Sequence, residues 1–140
     1  MARIVVERDP EAAEAAGSAV LSGLQAFNRR ILGEVGGELV SVSVRDDDGA
    51  IAGGAVGEVG LGYLFVRYLW VDESLRGRDL GASVLRHLEE EARRLGAANA
   101  YVDTFSFQAP GFYGKQGYRE FGRLDDFPPG HSRFWMTKSL

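Results

Sequence analysis

The sequence has no cysteine and only two histidines among its 140 residues. Without cysteine, the chain can form no disulfide, no thiolate metal site and no cysteine nucleophile. His87 and His131 lie far apart in sequence, so we expect no catalytic metal. No apolar run approaches the ~20 residues that span a bilayer, and Arg3 and Glu7 interrupt the N-terminal segment. These features predict a cytoplasmic protein with no signal peptide and no membrane partner.

Composition and charge exclude further classes of protein. The chain is 45% apolar and 26% charged, which is typical of a globular protein and not of a disordered or fibrous one. Its length suits one domain, which we expect to span residues 1–140. The formal net charge of −4 argues against nonspecific nucleic-acid binding and is compatible with a small cationic substrate.

The stretch from Tyr63 to Gly96 is the most informative part of the chain. It reads YLFVRYLWVDESLRGRDLGASVLRHLEEEARRLG. Its first part, Tyr63–Val71, is aromatic and β-branched, which predicts a buried strand. Apolar residues then recur at spacings of three and four and predict a helix that begins near Gly81 and ends at Gly96. The residues of this apolar stripe are Leu80, Val84, Leu88, Ala92 and Leu95.

The turn between this strand and this helix carries Arg76, Gly77, Arg78 and Gly81. Glycines let the backbone approach a ligand, and the free N–H groups and dipole of a helix start attract an anion. Arginines match the geometry of phosphate. The spacing is neither a P-loop nor a dinucleotide fingerprint. Taken alone, the turn is equally compatible with an ordinary strand–helix connection whose arginines are solvated.

The other segments predict a mixed sheet of the α/β (α+β) class, with helices on both faces. We expect a long helix after Asp9, divided at Gly17 or Gly23, and a short helix at Ala109–Gln116. The long helix would bury Leu21, Leu24, Phe27 and Ile31. Strands are expected at Arg3–Val6, Val40–Val44, Ile51–Val59, Ala100–Phe105, Tyr118–Leu124 and Arg133–Lys138.

Ligands of such sheets bind where neighbouring strands diverge at their carboxyl ends. In this chain, that point lies between Tyr63–Val71 and Ala100–Phe105.

Two motifs resemble those of the GNAT superfamily of acetyl-coenzyme A-dependent N-acetyltransferases. The segment Arg76–Ala82 is similar to the family's pyrophosphate-binding turn, Gln/Arg-x-x-Gly-x-Gly/Ala, except that Asp79 replaces the first glycine. The segment Ser106–Tyr118 is similar to Asn-x-x-Ala-x-x-Phe-Tyr-x-x-x-Gly-Phe/Tyr, except that Ser106 replaces the asparagine. One helix and one strand separate the motifs, as in the family, and the element order extends the resemblance over essentially the whole chain. The C-terminal run also looks like a group of small bacterial GNAT proteins.

The resemblance implies a GNAT acyltransferase fold with acetyl-coenzyme A as co-substrate. The backbone of Leu69, Trp70 and Val71 would pair with the pantetheine arm. Tyr113 would contact the coenzyme and protonate its departing thiolate, a role that suits a phenol because it is protonated at neutral pH. Further coenzyme contacts would come from the turn and from the asparagine position, that is from Arg76, Gly77, Arg78, Leu80, Gly81, Ala82, Ser83 and Ser106.

The resemblance does not identify a general base. Asp103 is the first candidate, ahead of Asp72, Glu73 and His131, although each of these also suits a turn or surface position. A water chain, or an amine that deprotonates in solution, would need no base. We expect direct transfer of the acetyl group to a primary amine of a small molecule. Acetylation of a protein lysine or N-terminus, and a non-catalytic acyl-coenzyme A-binding module, stay open as alternatives. A homodimer is expected only by family analogy.

Overall fold

The computed structural model describes residues 1–34 and 36–140. Two units make up the chain, Met1–Val35 and Gly36–Leu140. Among the described residues, no helix has both the length and the apolar character needed to cross a membrane.

The first unit contains one continuous helix, α1 (Pro10–Leu32). The Asp9 carboxylate caps its start by accepting the Ala12 N–H at 3.1 Å, and Gly33 ends it with φ 74°. The predicted division at Gly17 or Gly23 does not occur. Flanking residues of high helix propensity offset the weak propensity of these glycines.

Two other expectations for this unit are corrected. The segment Arg3–Val6 has no regular secondary structure, because four extended residues gain too few hydrogen bonds to hold a strand without a fixed partner. No residue of α1 is buried. Within the described residues of this unit, the helix has no second element against which its apolar stripe could pack.

The second unit is a six-stranded sheet in the order β1-β2-β3-β4-β6-β5. The pair β3–β4 is parallel and all other neighbours are antiparallel, which confirms the predicted mixed sheet. Two helices and a single 3₁₀ turn (Glu73–Leu75) connect the strands. The elements are β1 (Glu38–Arg45), β2 (Ile51–Gly60), β3 (Tyr63–Val71), α2 (Leu80–Arg94), β4 (Asn99–Phe105), α3 (Pro110–Lys115), β5 (Arg119–Asp125) and β6 (Ser132–Ser139).

The core lies between α2 and one face of the sheet. The apolar stripe of α2 contacts β1, β2 and β3. Leu85 and Leu88 are fully buried against alternate residues of the central strands, such as Leu64 and Ala100. Gly96, at φ 95°, follows the last turn of α2 and donates its N–H to the Arg93 carbonyl at 3.0 Å, as the sequence predicts.

The parallel strands β3 and β4 separate before either one ends. Their pairing runs from Tyr63–Asn99 to Val66–Val102 and no further. Beyond that point β3 stays paired to β2, and β4 stays paired to β6. Arg67 is an extra residue in the β2–β3 ladder, at the place where the register shifts. Such a bulge bends its strand and increases the local twist. Next to this bulge, beyond Val66 and Val102, a gap separates the carboxyl ends of β3 and β4.

Candidate active site

The gap between β3 and β4 opens into a cleft of about 600 Å³. Its lining comes from β3, the turn into α2, β4 and the segment that leads into α3. The lining residues are Arg67, Tyr68, Leu69, Trp70, Val71, Arg76, Gly81, Val102, Asp103, Thr104, Phe107, Gln108, Ala109, Phe112 and Tyr113. The cleft therefore lies at the strand ends where the sequence predicted a ligand.

One wall is the free edge of β3. From Arg67 to Val71 this strand has no partner on its β4 side among the described residues. Backbone N–H and C=O groups that line a cleft in this way can pair with an extended ligand that carries amides, as one strand pairs with another. Leu69, Trp70 and Val71, which the sequence singled out, lie on this edge.

The turn into α2 is built by local hydrogen bonds. Asp72 caps the 3₁₀ turn by accepting the Ser74 N–H at 3.1 Å and the Ser74 hydroxyl. The hydroxyl bond is the main cause of a lowered pKa of the Asp72 carboxyl. Asp72 is thus a turn residue with a fixed partner, as the alternative interpretation of the sequence held.

Asp79 stands at the N-cap of α2 in the left-handed conformation, with φ 53° and ψ 25°. This conformation explains why the related motif has glycine there, and aspartate is among the few other residues that adopt it readily. The side chain of Asp79 makes no capping hydrogen bond. The first helical bond runs from the Ser83 N–H to the Asp79 carbonyl at 3.0 Å, so the N–H groups of Leu80, Gly81 and Ala82 lack an intrahelical acceptor.

Gly81 lies where this turn meets α3. A Cβ at Gly81 would sit 3.4 Å from the Phe112 ring, which is ordinary contact with no room to spare. Arg76 lines the same end of the cleft. Free helix N–H groups, an arginine and a close-packed glycine together make this end suited to an anion.

Tyr113 lies on α3 and is 7% exposed. Its ring packs edge-on against Phe112 and Tyr118, with centroids 5.1 and 5.7 Å away. Burial, and secondarily the negative charge of Asp103, raises the pKa of the Tyr113 phenol to about 12. None of the side-chain hydrogen bonds found among the described residues engages its hydroxyl. The phenol is therefore protonated at neutral pH and available to a ligand in the cleft.

Asp103 lies on β4 and forms an ion pair with Arg133 on β6. Its Oδ1 accepts from Arg133 Nε at 3.0 Å and from Nη2 at 2.6 Å. The Arg133 guanidinium also lies 5.0–5.1 Å from the rings of Phe105, Phe127 and Trp135. Both bonds use one carboxylate oxygen, so Oδ2 stays available on the wall of the cleft.

The cleft brings together seven of the predicted site residues and leaves six outside it. Ser106 is one of those outside, because its hydroxyl accepts the Ser132 N–H at 3.0 Å. His131 lies beside it, with Nδ1 3.5 Å from the Ser106 hydroxyl. The residues inside are Leu69, Trp70, Val71, Arg76, Gly81, Asp103 and Tyr113, and the other residues outside are Gly77, Arg78, Leu80, Ala82 and Ser83.

Sequence reasoning missed Gln108 and Thr104. Gln108 Oε1 accepts the Phe105 N–H at 3.0 Å and the Thr104 hydroxyl at 3.4 Å. Both residues line the cleft. The one available signal was the place of Gln108, three residues beyond the end of β4, where a side chain can cap the last free N–H of the strand.

A buried carboxylate behind the cleft was also missed. Glu89 on α2 is 2% exposed, and its Oε2 accepts the Tyr118 hydroxyl at 2.7 Å. Lys138 Nζ on β6 lies 3.0 Å from Glu89 Oε1. Burial, together with the bond to Glu89, raises the pKa of the Tyr118 phenol well above its usual range. Because Tyr118 packs on Tyr113, this group joins α2 and β6 to the segment that carries the catalytic candidate.

Comparisons with known proteins identify relatives of this chain. A family profile described as "Acetyltransferase (GNAT) domain" matches residues 38–120. Acetyltransferase Atu2258 of Agrobacterium fabrum is 34% identical over 120 residues, which cover 86% of this chain and 88% of that protein. Blasticidin-S acetyltransferase of Streptomyces morookaense is 42% identical over 93 residues, which cover 66% of this chain and 68% of that protein. A crystal structure of an acetyltransferase from Bacillus cereus superposes with a TM-score of 0.83 at 35% identity and covers 99% of this chain and 98% of that chain.

Proposed function

Since the chain belongs to the GNAT family of acetyltransferases, we propose that it transfers an acetyl group from acetyl-coenzyme A directly to the primary amine of a small molecule. The observation that carries this proposal is the convergence of three features in one cleft. These are the free backbone edge of β3, the free N–H groups at the start of α2 and the buried phenol of Tyr113.

The cleft fits the coenzyme part by part. The diphosphate needs donors and positive charge, which the first turn of α2 and Arg76 supply. The pantetheine arm is extended and carries amides, which suit the unpaired edge formed by Leu69, Trp70 and Val71. Leu80 and Ala82 add their free N–H groups to this site beside Gly81, while Gly77, Arg78 and Ser83 complete the turn around it. When bound, acetyl-coenzyme A supplies the activated acetyl group.

Tyr113 acts as a hydrogen-bond donor to the departing sulfur. With a pKa of about 12, the phenol keeps its proton at all physiological pH values. An alkyl thiol has a pKa of about 8.5, so complete proton transfer from phenol to thiolate would be uphill by about 5 kcal/mol. Tyr113 therefore stabilises the negative charge on the sulfur, and the proton that the thiol finally gains replaces one lost by the amine nitrogen.

Asp103 is the proposed acceptor of that proton. Arg133 holds the carboxylate through Oδ1 and leaves Oδ2 free on the cleft wall. A carboxylate placed there attracts the protonated amine and can take its proton directly or through one water. The chain has no cysteine that could carry the acetyl group, which favours direct transfer.

The similarity to Blasticidin-S acetyltransferase supports a small-molecule acceptor. Acetylation of a protein lysine or N-terminus is the alternative, and peptides belong in the same acceptor screen. Cytoplasmic location and a homodimer stay predictions.

The first test is a thermal melt of the protein with and without acetyl-coenzyme A. A ligand at ~100 times its dissociation constant stabilises the folded state by about 2.7 kcal/mol, which raises the midpoint by several degrees for a chain of this length. No shift in a cooperatively melting protein would refute the coenzyme site.

Release of the free thiol in the presence of an amine panel then tests turnover. Tyr113→Phe should lower kcat by about 10- to 100-fold with little change in KM for acetyl-coenzyme A. Binding without turnover of any acceptor would indicate a non-catalytic module.

A further inference from the structure

The orientation of the Gln108 amide is set by its hydrogen bonds. Its Oε1 accepts the Phe105 N–H at 3.0 Å, and the Thr104 hydroxyl lies 3.4 Å away. A flipped amide would put its NH₂ group against the Phe105 N–H, where two donors would face each other. The oxygen therefore points to the end of β4, and Nε2 with its two hydrogens points away from it. Because Gln108 lines the cleft, these two donors are available to a ligand there.

Ser106 occupies the asparagine position of the family motif, but it is not among the residues that line the cleft. Its hydroxyl oxygen already accepts the Ser132 N–H at 3.0 Å. The His131 ring lies on its other side, 3.5 Å away. These contacts tie Ser106 to the start of β6 and direct its hydroxyl away from the cleft.

We propose that Gln108 Nε2 donates a hydrogen bond to an amide carbonyl of the pantetheine arm, and so takes the binding role that Ser106 leaves vacant. This inference rests on the proposed function. The ligand class follows from position and charge. The proposed anion contacts, Arg76 and Gly81, belong to the turn into α2. Gln108 is instead bonded to Phe105 at the carboxyl end of β4, the strand across the gap from the free edge of β3. A neutral NH₂ group suits a neutral carbonyl better than a phosphate.

The test compares Gln108→Glu with the wild type by calorimetric titration. Glutamate retains an oxygen for the Phe105 N–H but replaces the donor with a charged acceptor. We expect the dissociation constant for coenzyme A to rise about 5- to 10-fold. Affinity for the adenosine bisphosphate half of coenzyme A, which lacks the arm, should stay within about twofold of the wild-type value. The melting temperature without ligand should not change.

Gln116→Glu is the matched control, because it adds the same charge at the other end of α3 on a residue outside the cleft lining. It should leave both affinities unchanged. Equal weakening of coenzyme A and its nucleotide half by Gln108→Glu would show a charge effect on the phosphates and overturn the proposal. Unchanged coenzyme A affinity would also overturn it, as would weakening by Ser106→Ala but not by Gln108→Glu. If the wild type itself does not bind coenzyme A, the proposed function fails first.

Discussion

Replacing Asp79 with asparagine should strengthen binding of acetyl-coenzyme A. Asp79 holds the left-handed conformation at the start of α2, and its carboxylate makes no capping bond there. The Asp79 carboxylate therefore places a negative charge beside the proposed diphosphate site and forms no capping hydrogen bond there. Asparagine adopts the same conformation as readily, so the change removes the charge and keeps the backbone.

The size of the effect follows from Coulomb's law. The carboxylate would lie ~8 Å from a diphosphate at the first turn of α2, about one helical turn plus a side chain. At an effective dielectric constant of ~20–80, each phosphate charge is repelled by about 0.5–2 kcal/mol, and physiological salt reduces this to roughly a third. Two phosphate charges give about a 2- to 10-fold gain in affinity for the Asp79→Asn protein.

Calorimetric titration at low and high salt measures this gain directly. At ~1 M salt the Debye length falls to about 3 Å, and the two proteins should then bind almost equally. The thermal midpoint without ligand should not differ, whereas Asp79→Ala should lose about 1 kcal/mol because alanine tolerates the left-handed region poorly. Identical affinities of the wild type and Asp79→Asn at low salt would refute the placement of the diphosphate at this turn.

Three further predictions concern the buried and ionisable groups. The pKa of Tyr113 is raised from about 10 to about 12 in the folded state, so its contribution to stability is present below pH ~10 and is lost as pH rises through ~12. In urea unfolding between these pH values, the wild type should lose roughly 2–3 kcal/mol more than Tyr113→Phe, and equal losses would contradict the assignment. Glu89→Ala leaves the Lys138 charge and the Tyr118 hydroxyl without their acceptor and should cost about 3–5 kcal/mol. Glu89→Gln leaves the same charge unpaired but still accepts the hydroxyl, so it should cost less by about 1–3 kcal/mol; a Glu89→Gln protein as stable as the wild type would argue against the ion pair. Asp103→Asn should lower kcat and alter the pH–rate profile, and an unchanged profile would remove Asp103 as the base.

Local patterns in the sequence predicted most of the second unit. The apolar period of α2, its glycine stop and the bounds of β3 each depend on neighbours within a few residues and are confirmed. The expected burial of β3 is wrong, because only Leu64 and Val66 are buried and the residues from Arg67 onward line the cleft instead. Asp79 takes the left-handed conformation at the motif position where it replaces glycine. In the first unit, the long helix after Asp9 is confirmed. The strand expected at Arg3–Val6 does not form, because a strand depends on a partner that local pattern does not specify.

The sequence by itself determined the order of the elements, the family and the turn that begins α2, since periodicity, capping and motif spacing are properties of adjacent residues. Only the tertiary structure decided which side chains reach the cleft. The pairing of β3 and β4 ends next to the bulge at Arg67, and that separation creates the site. Hydrogen bonds between elements direct Ser106 away from the cleft and leave the Gln108 donors facing it. The Ser106 bond joins residues that are 26 apart in sequence, which no local pattern encodes. The Gln108 bond is local, but its position in the sequence does not show that the side chain lies in the cleft.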